Sequence, residues 1–455
     1  MRIGIIPLSF QTKVTWPPRI VVFLLLCGLP GFIAAQDHST TLVFPDKSHA
    51  PIRKATGTHL FLAVGLKTKV DDPQGTAVAK LEAMDDPDTE KDDDELTVYG
   101  INAGRNEIIY NTSLVNIEVY RGESGTDQGL NAPRGITANP AGDVYVADMG
   151  NSRVVRLFNP EGKQLKYRGA GRPPSREFVP FDVSLVSDGS VVVSDSAGGA
   201  LWRWFPERDH WERLLNGVAT PLGVVVYDGH ERWTAYDYLR IGVVADDGQE
   251  ILVLNSDGEI LHRYKPEVKT TRFRYIAVDY YNNYYATDVA HGRIVKIGRH
   301  AQFIDTIGSE GKGDYEFLHP QGISIWNRFG QVCVAESYAA QYYLIGTDIR
   351  QVQVESRGDH LRLSCTLTEK AKVTVTARHL MTDTTFHLLE STKAGQGLFS
   401  MAWRFPEVFP AGRYMIEITA VPSYSSTKYF TAKQQLYWSY QPNTTTDSEA
   451  EVKHE

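Results

Sequence analysis

A short polar residue recurs in this chain at the end of a short β-like run. It is Asn102, Asp148, Asp195, Asp246, Asp288 and Glu336, at intervals of 46, 47, 51, 42 and 48 residues. The runs before these corners are Leu96 to Tyr99, Val144 to Ala147, Val191 to Ser194, Ile241 to Ala245, Asn283 to Thr287 and Val332 to Ala335. A second short strand follows each corner, such as Val154 to Phe158 after Asp148 or Ile294 to Ile297 after Asp288. Strands this short, bounded by turn residues, form small sheets, and one small sheet cannot hide both faces from water. Several must therefore pack together.

A strand-built period in the forties is the pattern of a radial array of sheets, whereas helical repeats carry a helical period. The expectation is an all-β chain whose first unit is a six-bladed β-propeller over residues 58–349. Such a wheel is closed when an N-terminal strand completes the last sheet and removes its open edge. Thr40 to Phe44 and Leu60 to Val64 are the two candidates for that strand.

After Asp348 the pattern changes to longer alternating strands. In Leu361-Arg362-Leu363-Ser364-Cys365-Thr366-Leu367 every second residue is apolar, as a sheet with one buried face requires. Seven such strands between Gln351 and Leu436 predict a β-sandwich over 350–440. The polar residues 441–455 read as a disordered tail.

The segments APRGITANPAGDVYVADMGNSRVVRLF (132–158) and HPQGISIWNRFGQVCVAESYAAQYYLI (319–345) resemble NHL repeats, with a Pro-x-Gly-Ile start and a Val-x-Asp corner. The first also carries the Asn-x-Arg of good copies, as Asn151 and Arg153, and the fifth blade keeps His291 and Arg293 after Asp288. Lys370-Ala371-Lys372-Val373-Thr374-Val375 and Pro410-Ala411-Gly412-Arg413-Tyr414 resemble the immunoglobulin-like domain of flagellar hook-capping proteins. The NHL resemblance implies a fold but no single function, because such propellers include binders and a few lyases. An Asp at the corner accepts hydrogen bonds from nearby N–H groups and pairs with an Arg five residues on, so the corners read as structural.

Arg2, Lys13 and Arg19 precede an apolar stretch, Ile20 to Leu26, and a small-residue end at Ala34-Ala35, the pattern of a secretory signal peptide over 1–35. Its apolar part is too short to span a bilayer. Residues 36–57 read as an extension, and the expected location is extracytoplasmic, in a bacterium. Cys333 and Cys365 read as free buried thiols. A net charge of −8 without a basic stripe argues against nucleic acid. The acidic run 85–95 reads as a solvated loop and lacks the Asp-x-Asp-x-Asp-Gly order of a calcium loop.

Catalytic motifs are sparse. The resemblance to propeller lyases that amidate peptides implies zinc-binding histidines after the prolines that open blades. Arg134, Phe181, Leu222 and Gln321 stand at those positions, and none replaces an imidazole. A lactonase-like or lyase-like enzyme with a divalent cation, calcium or zinc, at the channel is the alternative, with Asp182 or Glu336 as the acids available. The favoured reading is non-catalytic binding of a protein or carbohydrate by a monomer. Most of the aromatic residues of the third to sixth blades read as packing between blades, whose wedge large rings fill. Trp202, Trp204, Trp233, Tyr236, Tyr238 and Tyr338 are the candidate contact residues, since Tyr and Trp combine a large apolar face with a polar tip.

Overall fold

The computed structural model describes residues 39–441, apart from 48–49, 51, 85–95, 114–115, 124–125, 229–234, 237, 358 and 425–429. The expected signal segment, the acidic run, Trp233 and all but the first residue of the tail lie outside the described residues. No described helix is long and apolar enough to cross a membrane.

Among the described residues between Leu42 and Ile345, six antiparallel sheets follow one another. Sheet 1 is Pro73–Ala79, Thr97–Asn102, Glu107–Asn111 and Ile117–Tyr120, and sheet 2 is Pro133–Ala138, Asp143–Asp148, Arg153–Phe158 and Lys166–Gly171. Sheet 3 is Pro180–Leu185, Val191–Asp195, Ala200–Phe205 and His210–Asn216, and sheet 4 is Val224–Tyr227, Arg240–Ala245, Glu250–Leu254 and Ile260–Tyr264. Sheet 5 is Phe273–Val278, Tyr284–Asp288, Arg293–Ile297 and Phe303–Ile307. Sheet 6 has Pro320–Trp326, Gln331–Glu336 and Ala339–Ile345, and takes its outer strand from the N-terminal segment. The first strands of successive sheets touch, and that of sheet 6 packs against that of sheet 1. The arrangement is that of a β-propeller.

Of the two closing candidates, the first is the one used: Leu42 pairs with Ile345 and Val43 with Leu344. Lys54–Thr56 adds to the same strand. Leu60 to Val64 belongs instead to a helix, Gly57–Val64, which buries Leu60 and Val64 and leaves Phe61 and Leu62 exposed. Its apolar residues follow a helical stripe rather than the alternation of a strand. Pro73–Ala79, shortly before the acidic run in sequence, is the first strand of sheet 1.

Each corner ties the end of a second strand to the loop that leads into its own sheet. Asp148 accepts from the Asn131 amide (2.7 Å), Asn151 Nδ2 (2.8 Å) and Arg153 Nε (2.7 Å). Asp195 accepts from the Val179 amide, Asp288 from the Arg272 amide and Glu336 from the Leu318 amide. Asn102 accepts from the Asp71 amide and donates to Glu107. Asp246 departs from the series. It is exposed with a φ of 52°, and its backbone amide, not its side chain, makes the tie, to Ala219 O at 2.7 Å.

The C-terminal unit pairs Ile349–Arg357, His360–Leu367 and Gly397–Arg404 in one sheet. The other holds Thr385–Ala394, Ala371–His379, Gly412–Pro422 and Ala432–Tyr440. Leu361, Leu363, Cys365, Val373, Val375 and Ile416 share one buried core, so the alternation read from the sequence is the face it implied. Cys333 and Cys365 are both free and buried.

Candidate functional site: the central channel

The axis is built from equivalent tripeptides at the start of each sheet: Pro73-Gln74-Gly75, Pro133-Arg134-Gly135, Pro180-Phe181-Asp182, Pro221-Leu222-Gly223, Phe273-Arg274-Tyr275 and Pro320-Gln321-Gly322. The glycine is demanded by close approach. A Cβ on Gly75 would lie 2.8 Å from Arg134 O, and one on Gly322 would lie 2.4 Å from Gln74 O. Sheets 3 and 5 place Asp182 and Tyr275 at this register, and both side chains are accommodated in the channel wall. Gly135 makes the room for the first, since a Cβ there would fall 1.9 Å from Asp182 Oδ1.

Tyr275 bridges the axis. Its hydroxyl donates to Gln74 Oε1 of sheet 1 at 3.1 Å, and its ring lies 5.3 Å from that of Phe181 in sheet 3. Asp182 is buried, with Oδ1 accepting from the Val183 amide and Oδ2 from the Val224 amide of sheet 4, each at 2.9 Å. Burial pushes its carboxyl up to about 7, against the pull of those two amides.

A cavity of about 610 Å³ adjoins these two residues and extends along the first strands to the hairpins at the opposite end from the corners. Its walls are mainly aliphatic and hydroxyl-bearing, among them Ile136, Val225, Ile276, Thr76, Ser184 and Ser324. Thr76 and Ser324 bond each other across sheets 1 and 6 at 3.1 Å.

Asp182, already holding two amides, and Glu82, with hydroxyls around them, do not make the three- or four-ligand set that zinc takes. Neither do they make the oxygen cage of calcium. Among the described residues no group of three or more His, Cys, Asp or Glu is arranged around a common point for a metal ion. Glu336, the other acid expected to serve a cation, is buried at its corner and bonded to Gln341 and the Leu318 amide.

Residues 130–157 match the NHL repeat family. This stretch is an NHL repeat. No curated protein matches the chain. Among solved structures, a virginiamycin B lyase from Staphylococcus aureus is 19% identical over 55% of this chain and 77% of the lyase, with a TM-score of 0.42. A gluconolactonase from Xanthomonas campestris is 14% identical over 69% of this chain and all (100%) of the other, with a TM-score of 0.45. These likenesses are too distant to bring a substrate or a reaction with them, so the site rests on this chain's own residues. In the NHL repeat itself, Asp148, Asn151 and Arg153 are bonded to one another and hold the corner.

The aromatic residues read as candidate contacts are dispersed. Trp202 and Trp204 are 4% and 3% exposed, and Trp204 is stacked on Trp211 at 5.2 Å and edge-on to Tyr145 of sheet 2. They are packing between blades rather than contact residues, because wide rings fill the wedge between splayed sheets. Tyr236 and Tyr238 are half-buried at the hairpin end, under the guanidinium groups of Arg299 (4.3 Å) and Arg240 (4.2 Å). Tyr338 is exposed at the corner end, flanked by Lys54 and Lys312.

Sequence reasoning reached Arg134, Phe181, Leu222 and Gln321 only as failed zinc positions. It missed Gln74 and Arg274, because the acidic run hides the first strand of sheet 1 and Phe273 stands where a proline was sought. The departures from glycine at Asp182 and Tyr275 were the available signal.

Proposed function

We propose that this chain is a secreted, non-catalytic binding protein. In this reading a signal peptide over 1–35 precedes a six-bladed NHL-type propeller, and an immunoglobulin-like sandwich over 350–440 serves as a docking module. The propeller begins within the 36–57 extension, since the closing strand lies there. The protein acts as a monomer outside the cytoplasm and takes a protein, glycan or cell-envelope ligand, with the propeller channel as its binding site. The observation that carries this reading is the chemistry of the channel lining. Its cavity is concave and mixes aliphatic side chains with hydroxyls and with the polar groups of Lys80, Glu82, Asn139 and Asn327, a surface suited to holding an organic ligand.

A second reading draws on Asp182. A buried carboxyl that titrates near neutrality beside a cavity is placed to exchange a proton with a bound molecule, as a lactonase-like or lyase-like reaction would require. The two readings separate in one experiment. Purified protein is titrated calorimetrically with glycan and peptide libraries, and each ligand is recovered and analysed with and without added zinc or calcium. Saturable binding with the ligand recovered unchanged is expected. Turnover that disappears in Asp182→Asn would replace the binding reading with the enzymatic one.

A further inference from the structure

The corner end of the axis lies on the other side of the Tyr275–Gln74 bridge from the cavity, and Arg134, Arg274 and Gln321 are half-buried there. Its rim is the middle residue of each axial tripeptide. In order round the wheel these are Gln74, Arg134, Phe181, Leu222, Arg274 and Gln321. The two arginines come from sheets 2 and 5, opposite one another. Phe181 and Leu222 form the apolar side between them, and the two glutamines form the polar side. Convergence on the axis is shown by contacts that skip a blade, since the Arg274 guanidinium lies 4.8 Å above the Phe181 ring.

The polar groups of this rim exceed the partners the protein gives them. Arg274 Nε, Arg134 Nε and Gln321 Oε1 are all buried without a hydrogen-bond partner. Arg134 reaches one carboxylate, that of Asp72 at 3.1 Å, which also accepts from Gln74. Arg274 makes no ion pair with any described carboxylate, and its only described partner is the Phe181 ring. A guanidinium stacked on an aromatic face keeps its N–H edge free for a planar oxyanion, which it binds as a two-pronged donor.

We propose that the corner end of the axis is a binding site for an organic carboxylate with an apolar body. Arg274 is the principal anchor of the carboxylate, Arg134 assists from the opposite blade, and Phe181 with Leu222 covers the apolar part. The two orphaned guanidinium nitrogens call for an acceptor, and the one-sided apolar rim selects an amphipathic acid over a bare inorganic anion. This deepens the binding reading of the channel and rests on it.

The test uses full-length mature protein and three probes: 4-phenylbutyrate, 4-phenylbutyramide and inorganic phosphate, followed by calorimetry and by the rise in unfolding temperature. Phenylbutyrate is expected to bind with millimolar or better affinity, and the amide and phosphate at least about tenfold more weakly. Arg274→Gln is expected to weaken phenylbutyrate about tenfold or more, and Arg274→Lys less. Arg134→Gln, on the far side of the axis, provides an independent variant, and the unfolding temperature of each ligand-free variant establishes that it is folded. Equal binding of acid and amide, preference for phosphate, no binding of the acid, or full affinity in both Gln variants would each overturn the proposal. The wider reading falls separately, if the library titration finds no ligand for the channel at all.

Discussion

Asp182 is the residue at which sequence and structure part most sharply. It occupies a register where four of the six sheets carry glycine, and it is buried where a charge is costly. Its folded carboxyl titrates at about 7 against an ordinary value of 3.8, so between those limits the folded protein holds a proton that the unfolded chain has released. Stability contributed by that proton is fully present at the acid end and is lost as pH rises through the folded value. Urea unfolding across this window should show stability falling toward neutrality, with a part of the slope, on the order of a few kcal/mol in all, removed in Asp182→Asn. Glu369, also raised by burial, leaves a residual slope of the same sign. At the acid end the variant should be less stable than the parent by about 1–2 kcal/mol, because a carboxamide turns a donor toward one of the two backbone amides. An unchanged slope would show that Asp182 titrates as an exposed acid does. Nothing in the composition marked this position. The tripeptide comparison marks it once the axis is known, whereas Trp202 and Trp204 could be read either as packing or as contacts, because a string of letters does not say which face a strand buries.

At the scale of elements, the corner was legible because one set of bonds recurs. Asp148, Asp195, Asp288, Glu336 and Asn102 reach back to the loop before their own sheet, and a residue five positions on supports four of them: Arg153, Arg293, Gln341 and Glu107. Asp246 kept the spacing without the bond, since spacing reports where a turn falls and not where its side chain points. The difference has an energetic consequence. Asp148→Ala strips three donors, including a guanidinium, of a fully buried acceptor and should cost about 3 kcal/mol or more. Asp246→Ala removes an exposed carboxylate and should stay within about 0.5 kcal/mol of the parent. Urea midpoints of the two variants check this, and equal losses would mean that the corner acts through its turn alone. The first strand of sheet 1 and the closing strand were harder to read. The acidic run separates Pro73–Ala79 from its partner Thr97–Asn102, and Leu42–Val43 is too short to carry a pattern of its own.

The whole molecule is held together by charges that neither unit satisfies alone. Lys296, in the third strand of sheet 5, is fully buried, with Nζ 2.6 Å from Glu369 Oε2 at a turn of the sandwich and 3.9 Å from Asp279 Oδ2. A second tie centres on Asp305 in the outer strand of the same sheet, which accepts from Ser39 (2.7 Å) and Thr41 (2.5 Å) and pairs with Arg350 of the first sandwich strand. The Thr41 and Thr368 hydroxyls are also hydrogen-bonded to each other, so the segment that closes the wheel is fastened to the sandwich as well. Removing one partner of a buried pair leaves an uncompensated charge and costs about 3–5 kcal/mol, whereas removing both can be nearly neutral. Lys296→Met should therefore loosen the junction, splitting a single calorimetric transition into separate transitions for the propeller and the sandwich. Lys296→Met combined with Glu369→Gln should recover much of the loss, since Asp279 keeps the Tyr281 and Asn283 amides and Asn283 Nδ2 as donors. If the single variant still melts in one transition at the parental temperature, the two units are joined by their apolar contact and the buried charges are incidental to it.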